Sequence, residues 1–157
     1  MSAFRLSSPA FSAGGPIPRA HTCDGADQSP PLVWADAPAE TQEFALLMDD
    51  PDAPGPTFTH WVLYAIPGNA KGLPTGLPKE AELRAPITAR QGLNDFRRAG
   101  YGGPCPPKGA PHHYQFALYA LSAPCDLPPG AARPVAWRAL EKLVLAEARL
   151  TGTYGRP

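Results

Sequence analysis

The sequence predicts a mainly β protein: an antiparallel, Greek-key-like β-sandwich with long Pro/Gly loops and a peripheral C-terminal helix followed by a final strand. Three observations lead there. Apolar residues fall in short runs closed by turn residues. The 22 prolines and 15 glycines among 157 residues interrupt the chain too often for long helices. No regular β-α-β alternation is present to supply parallel crossovers. Because 43% of the residues are hydrophobic and they gather in periodic runs, the excess of Pro and Gly is read as ordered loops rather than disorder. The length suits one domain over residues 1–157.

The elements follow in chain order. FRLSS (4–8) and PLVWADAP (31–38) read as strands. EFALLMD (43–49) and HWVLYAIP (60–67) are near-continuous apolar runs, as expected of strands covered on both faces, and they are placed at the centre of the sheet. Period-2 alternation puts His60 on the face of Val62 and Tyr64. From Pro67 to Gly100 the chain reads as loop, with Gly72, Pro74, Gly76, Pro78 and Pro86 opposing any long helix. A strand over Pro111–Leu121 puts His112, Tyr114, Phe116 and Leu118 on one face, and His113 and Gln115 on the other. After Pro134 a helix brings Trp137, Leu140 and Val144 together, opposite Arg138 and Lys142. From Ala146 strict alternation indicates a last, half-exposed strand.

Fourteen basic residues balance fourteen acidic ones, and no basic cluster exceeds Arg97-Arg98, so a nucleic-acid surface is not indicated. The N-terminal stretch lacks a charged leader followed by an apolar core, and no segment approaches the roughly 20 apolar residues of a membrane span. A soluble, cytoplasmic protein is expected. Cys23, Cys105 and Cys125 form neither a CxxC pair nor an even set, which fits a reducing compartment while leaving room for one disulfide.

Three features carry chemistry: Asp49-Asp50-Pro51-Asp52-Ala53-Pro54, His60, and the run GYGGPCPPKGAPHHY (100–114). Each lies at the end of an expected strand. Pro51 and Pro54 stiffen the aspartate turn, and the Gly/Pro run holds a shape without being helix or strand. Neighbouring strands lie about 4.8 Å apart, so strand-end side chains can converge on one small polar site.

The ordered set of segments resembles the phosphatidylethanolamine-binding protein family, in its bacterial Raf-kinase-inhibitor-like branch. The likeness rests on HTCDGADQSPPLVW (21–34), DPDAP (50–54), HWVLYAIP (60–67), GLNDF (92–96), GYGGPCPP (100–107), HHYQFALYAL (112–121) and LAEARLTGTYGR (145–156). It implies a β-sandwich with a pocket for phosphate-like groups or phosphorylethanolamine head groups. It further implies that Asp50, His60, His112 and Tyr114 are the pocket residues, with Pro51, Ala53, Pro54, Gly103 and Pro107 supplying wall and backbone. Modulation of a kinase or protease through the pocket rim, and a homodimer, are consistent with the same resemblance.

The expected chemistry is anion binding without a cofactor: Asp50 beside His60 or His112 favours imidazolium, and two imidazolium donors with the Tyr114 hydroxyl hold phosphate oxygens. The rival is a phosphoesterase or esterase-type hydrolase using the same Asp, His and Tyr, with Cys105 beside His112 as an optional thiol nucleophile. No G-x-S-x-G elbow supports it. Asp50, His60, His112 and His113 are suitable zinc-ligand types, but alternation turns His112 and His113 apart.

Overall fold

A computed structural model describes residues 3–157. Among the described residues nine strands build two antiparallel sheets. The smaller has the order β1-β2-β5, formed by Arg5–Ser7, Leu32–Ala35 and Gly72–Leu73. The larger has the order β6-β7-β4-β3-β8-β9, formed by Glu82–Leu83 (β6), Ala89–Gln91 (β7), Phe58–Pro67 (β4), Glu43–Asp50 (β3), His112–Leu121 (β8) and Val144–Tyr154 (β9). The α-helix α1 covers Arg133–Leu140.

The two apolar runs read as central strands are β3 and β4, flanked by β8 on one side and β7 on the other. Their side chains are buried on both faces, and alternation divides them between two cores. Phe44, Leu46, Met48, Trp61 and Leu63 meet Leu6, Leu32, Trp34 and Leu73 of the small sheet. Ala45, Leu47, Val62 and Tyr64 face the other way and pack with Ala136 and Leu140 of α1. The layers are therefore small sheet, large sheet, helix. Full burial of such side chains contributes about 1.5–3 kcal/mol each relative to leaving them in water.

The helix is shorter than its sequence period suggested. Pro134 sits in its first turn, where a missing N–H costs nothing, and the helix ends at Leu140 in a 3₁₀ turn over Glu141–Leu143. Val144 does not extend the helical stripe; it pairs with Leu121 as the first residue of β9. A ladder of ten residue pairs along β8 captures the chain, and Ala148, Leu150 and Gly152 are buried while Glu147 and Arg149 are exposed. The segment expected to be all loop also contains β5, which pairs with β2, and β6 and β7, of which β7 is stitched to β4 through Leu63↔Gln91 and Tyr64↔Arg90.

One reading is corrected outright and one open alternative is resolved. Met48 pairs with Trp61 and Asp49 with Thr59, so His60 is the extra residue of a β-bulge. The bulge turns His60 off the Val62–Tyr64 face and against Tyr114, with ring centroids 5.2 Å apart. Cys23 and Cys105 form a disulfide across 82 residues, and Cys125 is free and buried. Odd cysteine count says nothing about pairing once one thiol is packed in a core.

Candidate functional site

The ends of β3, β4 and β8 converge where the predicted site residues lie. At the close of β3, Asp50 is almost fully buried and both its oxygens are engaged. Oδ1 accepts the Asp52 backbone N–H at 2.9 Å, an Asx turn that fixes the DPDAP loop, and Oδ2 accepts Nδ1–H of His112 at 2.7 Å. His113, one residue on, points outward as alternation requires and is held instead by exposed Asp52. Hydrogen bonds from His113 keep the Asp52 carboxyl below the usual carboxylate range.

His60 belongs to a different network. Its Nδ1 donates to the Gly102 carbonyl at 2.6 Å, while the Gly102 N–H donates back to the His60 carbonyl at 3.0 Å. A carbonyl only accepts, so Nδ1 carries the proton. Phe58, Phe96 and Tyr114 pack around the ring. Burial pushes its pKa below the ordinary histidine value, outweighing the Gly102 bond and the charge of Asp50. The expected pair of imidazolium donors is thus corrected: Asp50 serves His112 alone, and His60 is a neutral ring whose Nε2 is an acceptor.

Tyr114 completes the group. Its hydroxyl is buried and has no hydrogen-bond partner among the described residues. Burial, reinforced by the nearby Asp50 charge, raises the phenol well above its usual range, so it remains an O–H donor at all ordinary pH.

These side chains line a cavity of about 140 Å³ together with Ala53, Pro54 and Pro107. Pro51 and Gly103 do not line it: Gly103 borders a separate cavity of about 640 Å³, where its N–H donates to Asp27 Oδ1 at 2.8 Å. Three wall residues were missing from the sequence reading, namely Phe58, Phe96 and Pro106, and Cys105, named there only as an optional thiol, is a fourth wall residue. Phe58 stands two positions before His60 and Phe96 closes GLNDF, so a rule for strand-end aromatics would have found both. Phe96 is also common to both cavities. Its turn is set by Asn94, which accepts from Phe96 N–H and donates to the Gly100 carbonyl, each at 2.9 Å.

The wall holding Cys105 is tied to Arg19–Asp27 and to the end of β9. Tyr101 donates to the His21 carbonyl at 2.6 Å, and Cys23 N–H donates to the Pro104 carbonyl at 3.1 Å. Arg156 forks onto Asp24 through Nε and Nη2, and Tyr154 adds its hydroxyl. Those bonds hold the Asp24 carboxyl at about 2. With its sulfur in a disulfide, Cys105 is not a thiol nucleophile. Among the described residues no three His, Cys, Asp or Glu side chains gather as metal ligands.

Comparison with known proteins agrees with this architecture. The family model of the phosphatidylethanolamine-binding protein matches residues 7–155. A protein of Aquifex aeolicus named UPF0098 is 47% identical over 148 residues, spanning 93% of this chain and 85% of its own length. LppC of Mycobacterium tuberculosis, provisionally named a lipoprotein, is 40% identical, spanning 95% of this chain and 71% of its own. Among solved structures, E. coli YbcL, described as a member of the mammalian PEBP family, superposes with a TM-score of 0.92 at 33% identity, covering 99% of this chain and 100% of that one. A phosphatidylethanolamine-binding protein homologue of Chlamydia trachomatis, CT736, gives 0.89 at 35% identity with full coverage of both chains. A match that runs from β1 to the end of β9, on a two-sheet frame superposable on solved members, places this chain in the phosphatidylethanolamine-binding protein family.

Proposed function

We propose that this protein binds a small phosphate-like group, free or as the head of a phosphomonoester such as phosphorylethanolamine, in the cavity between Asp50, His60, His112 and Tyr114. The observation that carries the reading is the Tyr114 hydroxyl: a buried donor without a partner costs about 1–3 kcal/mol, and a ligand oxygen removes that cost. The volume of about 140 Å³ equals a few water molecules at roughly 30 Å³ each, which suits a phosphoryl group.

The donor set supports a ligand that brings both acceptors and one proton. Tyr114 donates, the Asp50-oriented His112 presents Nε2, and neutral His60 presents a lone pair. Asp50 does not repel the anion as a bare carboxylate, because its oxygens already receive two hydrogen bonds. Calorimetric titration with inorganic phosphate and phosphorylethanolamine tests the reading; binding at millimolar ligand or tighter supports it, and no heat with either ligand overturns it.

Binding is preferred to hydrolysis because the Asp50–His112 pair has no nucleophile beside it: Cys105 is oxidised and the Tyr114 phenol is raised. Kinase or protease modulation at the rim, where Phe96 is exposed, and self-association are the outer reach of the same proposal. No helix among the described residues is long and apolar enough to cross a membrane. A cytoplasmic location, also part of the proposal, puts the Cys23–Cys105 disulfide in contact with a reducing thiol pool.

A further inference from the structure

We propose that Cys23–Cys105 is a thiol–disulfide exchange site, attacked at Cys105 and positioned by Arg156, whose oxidation state sets the firmness of the pocket wall; this last clause rests on the function proposed above.

Three observations combine. The two cysteines differ in exposure: Cys105 is exposed on the wall of the small cavity, whereas Cys23 is half-buried beside the large one. Exposed disulfides are the exchangeable ones, because a thiolate must approach along the S–S axis. Arg156 Nη2 lies 3.0 Å from Cys23 Sγ and 3.4 Å from Cys105 Sγ. The guanidinium does not sit there by default. Asp24 holds it through Nε–H to Oδ2 at 3.0 Å and Nη2–H to Oδ1 at 2.7 Å, leaving the second Nη2 hydrogen for sulfur. A disulfide sulfur is a feeble acceptor and gains little from that donor, but a thiolate gains a charge-assisted bond.

The chemistry then has a direction. The thiolate of an external dithiol attacks Cys105 Sγ; a mixed disulfide forms there, and Cys23 leaves with the bonding electron pair as a thiolate under Arg156 Nη2–H. The second thiolate of the reagent attacks its own sulfur in the mixed disulfide and releases Cys105 as thiolate. Two electrons pass to the protein, the reagent becomes a disulfide, and the protein thiolates take up protons from solvent. Cys23 is the better leaving group because Nη2 is nearer to it.

Loss of the bond frees only part of the wall. Residues 101–104 keep Tyr101 on His21, Gly103 on Asp27 and Cys23 N–H on Pro104. The stretch from Cys105 to Pro107 loses its covalent anchor and is next held where Lys108 bridges Arg156, with Gly109 N–H donating to the Arg156 carbonyl at 3.1 Å. Cys105, Pro106 and Pro107 lie in that stretch and line the cavity, so reduction weakens phosphate binding rather than abolishing it.

The test uses the full folded chain. Dithiothreitol at neutral pH, followed by acid quench, maleimide trapping and mass spectrometry, is expected to reduce the bond without denaturant, and glutathione is expected to leave its adduct on Cys105. Arg156→Gln is expected to slow reduction about tenfold, with Arg156→Lys in between. A merely structural arginine predicts the opposite sign, since a loosened Arg156→Gln protein exposes the bond and reduces faster. Reduction only in denaturant, an adduct on Cys23, or an unchanged or faster rate in Arg156→Gln overturns the exchange site. In a second arm, inorganic phosphate is titrated into oxidised and reduced protein, with a several-fold weaker Kd expected on reduction. Equal affinities overturn the wall clause, and no binding in either state overturns the proposed function while the exchange measurements stand by themselves.

Discussion

Asp50 and His112 lie 62 residues apart in sequence and meet at 2.7 Å, with the carboxylate all but buried. The pair sets the orientation of the His112 ring, and the Asp52 N–H takes up the other oxygen. Breaking it loses a hydrogen bond to a charged group, worth about 1.5–3 kcal/mol. Asp50→Ala is therefore expected to lower stability by that amount in urea titration and to weaken phosphate binding by at least tenfold. Asp50→Asn, which keeps the shape and the turn acceptor, is expected to fall between.

Tyr114→Phe separates stability from binding. Removing a buried hydroxyl that has no partner relieves its desolvation cost, so the variant should be as stable as the parent or up to about 1 kcal/mol more so. The same change removes the donor that faces the ligand, and phosphate affinity should drop about tenfold. A Tm that falls together with affinity would show that the hydroxyl has a structural partner.

Neutral His60 gives two pH signatures. Its proton is bound less readily in the folded chain than in the unfolded one, where the value is near 6.5. Unfolded chains then hold more protons as pH falls through that value, so the His60 contribution is complete above 6.5 and is lost on acidification below it. An NMR titration should place the His60 midpoint below 6.5, and urea midpoints should decline across the same window. On the ligand side, Nε2 accepts a hydrogen bond from a P–O–H of the bound group, so phosphorylethanolamine should bind better with its phosphate singly protonated and weaken as pH rises through about 6. Sulfate, which carries no proton in this range, should bind more weakly than phosphate at pH 6.

Gly103 is a packing position. A Cβ there would sit 2.4 Å from Asp27 Oδ1 and 2.5 Å from the His21 carbonyl, and the latter is backbone that already receives Tyr101. Gly103→Ala is expected to destabilise by about 1–3 kcal/mol through overpacking, and to weaken ligand binding less than Tyr114→Phe does. Thermal melts and calorimetry on both variants decide this.

The parts of the fold legible in sequence are those governed by local periodicity. Alternation alone separates His112 and Tyr114 from His113, and the apolar runs of β3 and β4 announce strands covered on both faces. What escaped is set by partners. His60 changes face because β3 pairs Met48 with Trp61 and Asp49 with Thr59, and no rule read along β4 contains that mismatch. The helix ends at Leu140 because β8 offers a ladder to Val144, although the helical stripe continues in the letters. The disulfide joins positions 82 apart with no spacing signature. Alternation selects His112 and Tyr114 and the resemblance supplies Asp50 and His60 as their partners, but their division of labour follows from which nitrogen meets which oxygen.

The wall that joins Cys105, Asp24 and Arg156 also has a place in time. Arg156 reaches back 132 residues to Asp24, and Tyr154 pairs with His112 at the mouth of the cavity. At about 5–20 residues per second, a ribosome delivers Asp50 and His60 seconds before the residues that finish their surroundings. A nascent chain that stops short of Arg156 holds both central strands and lacks this brace, so the pocket is among the last parts of the protein to come into being.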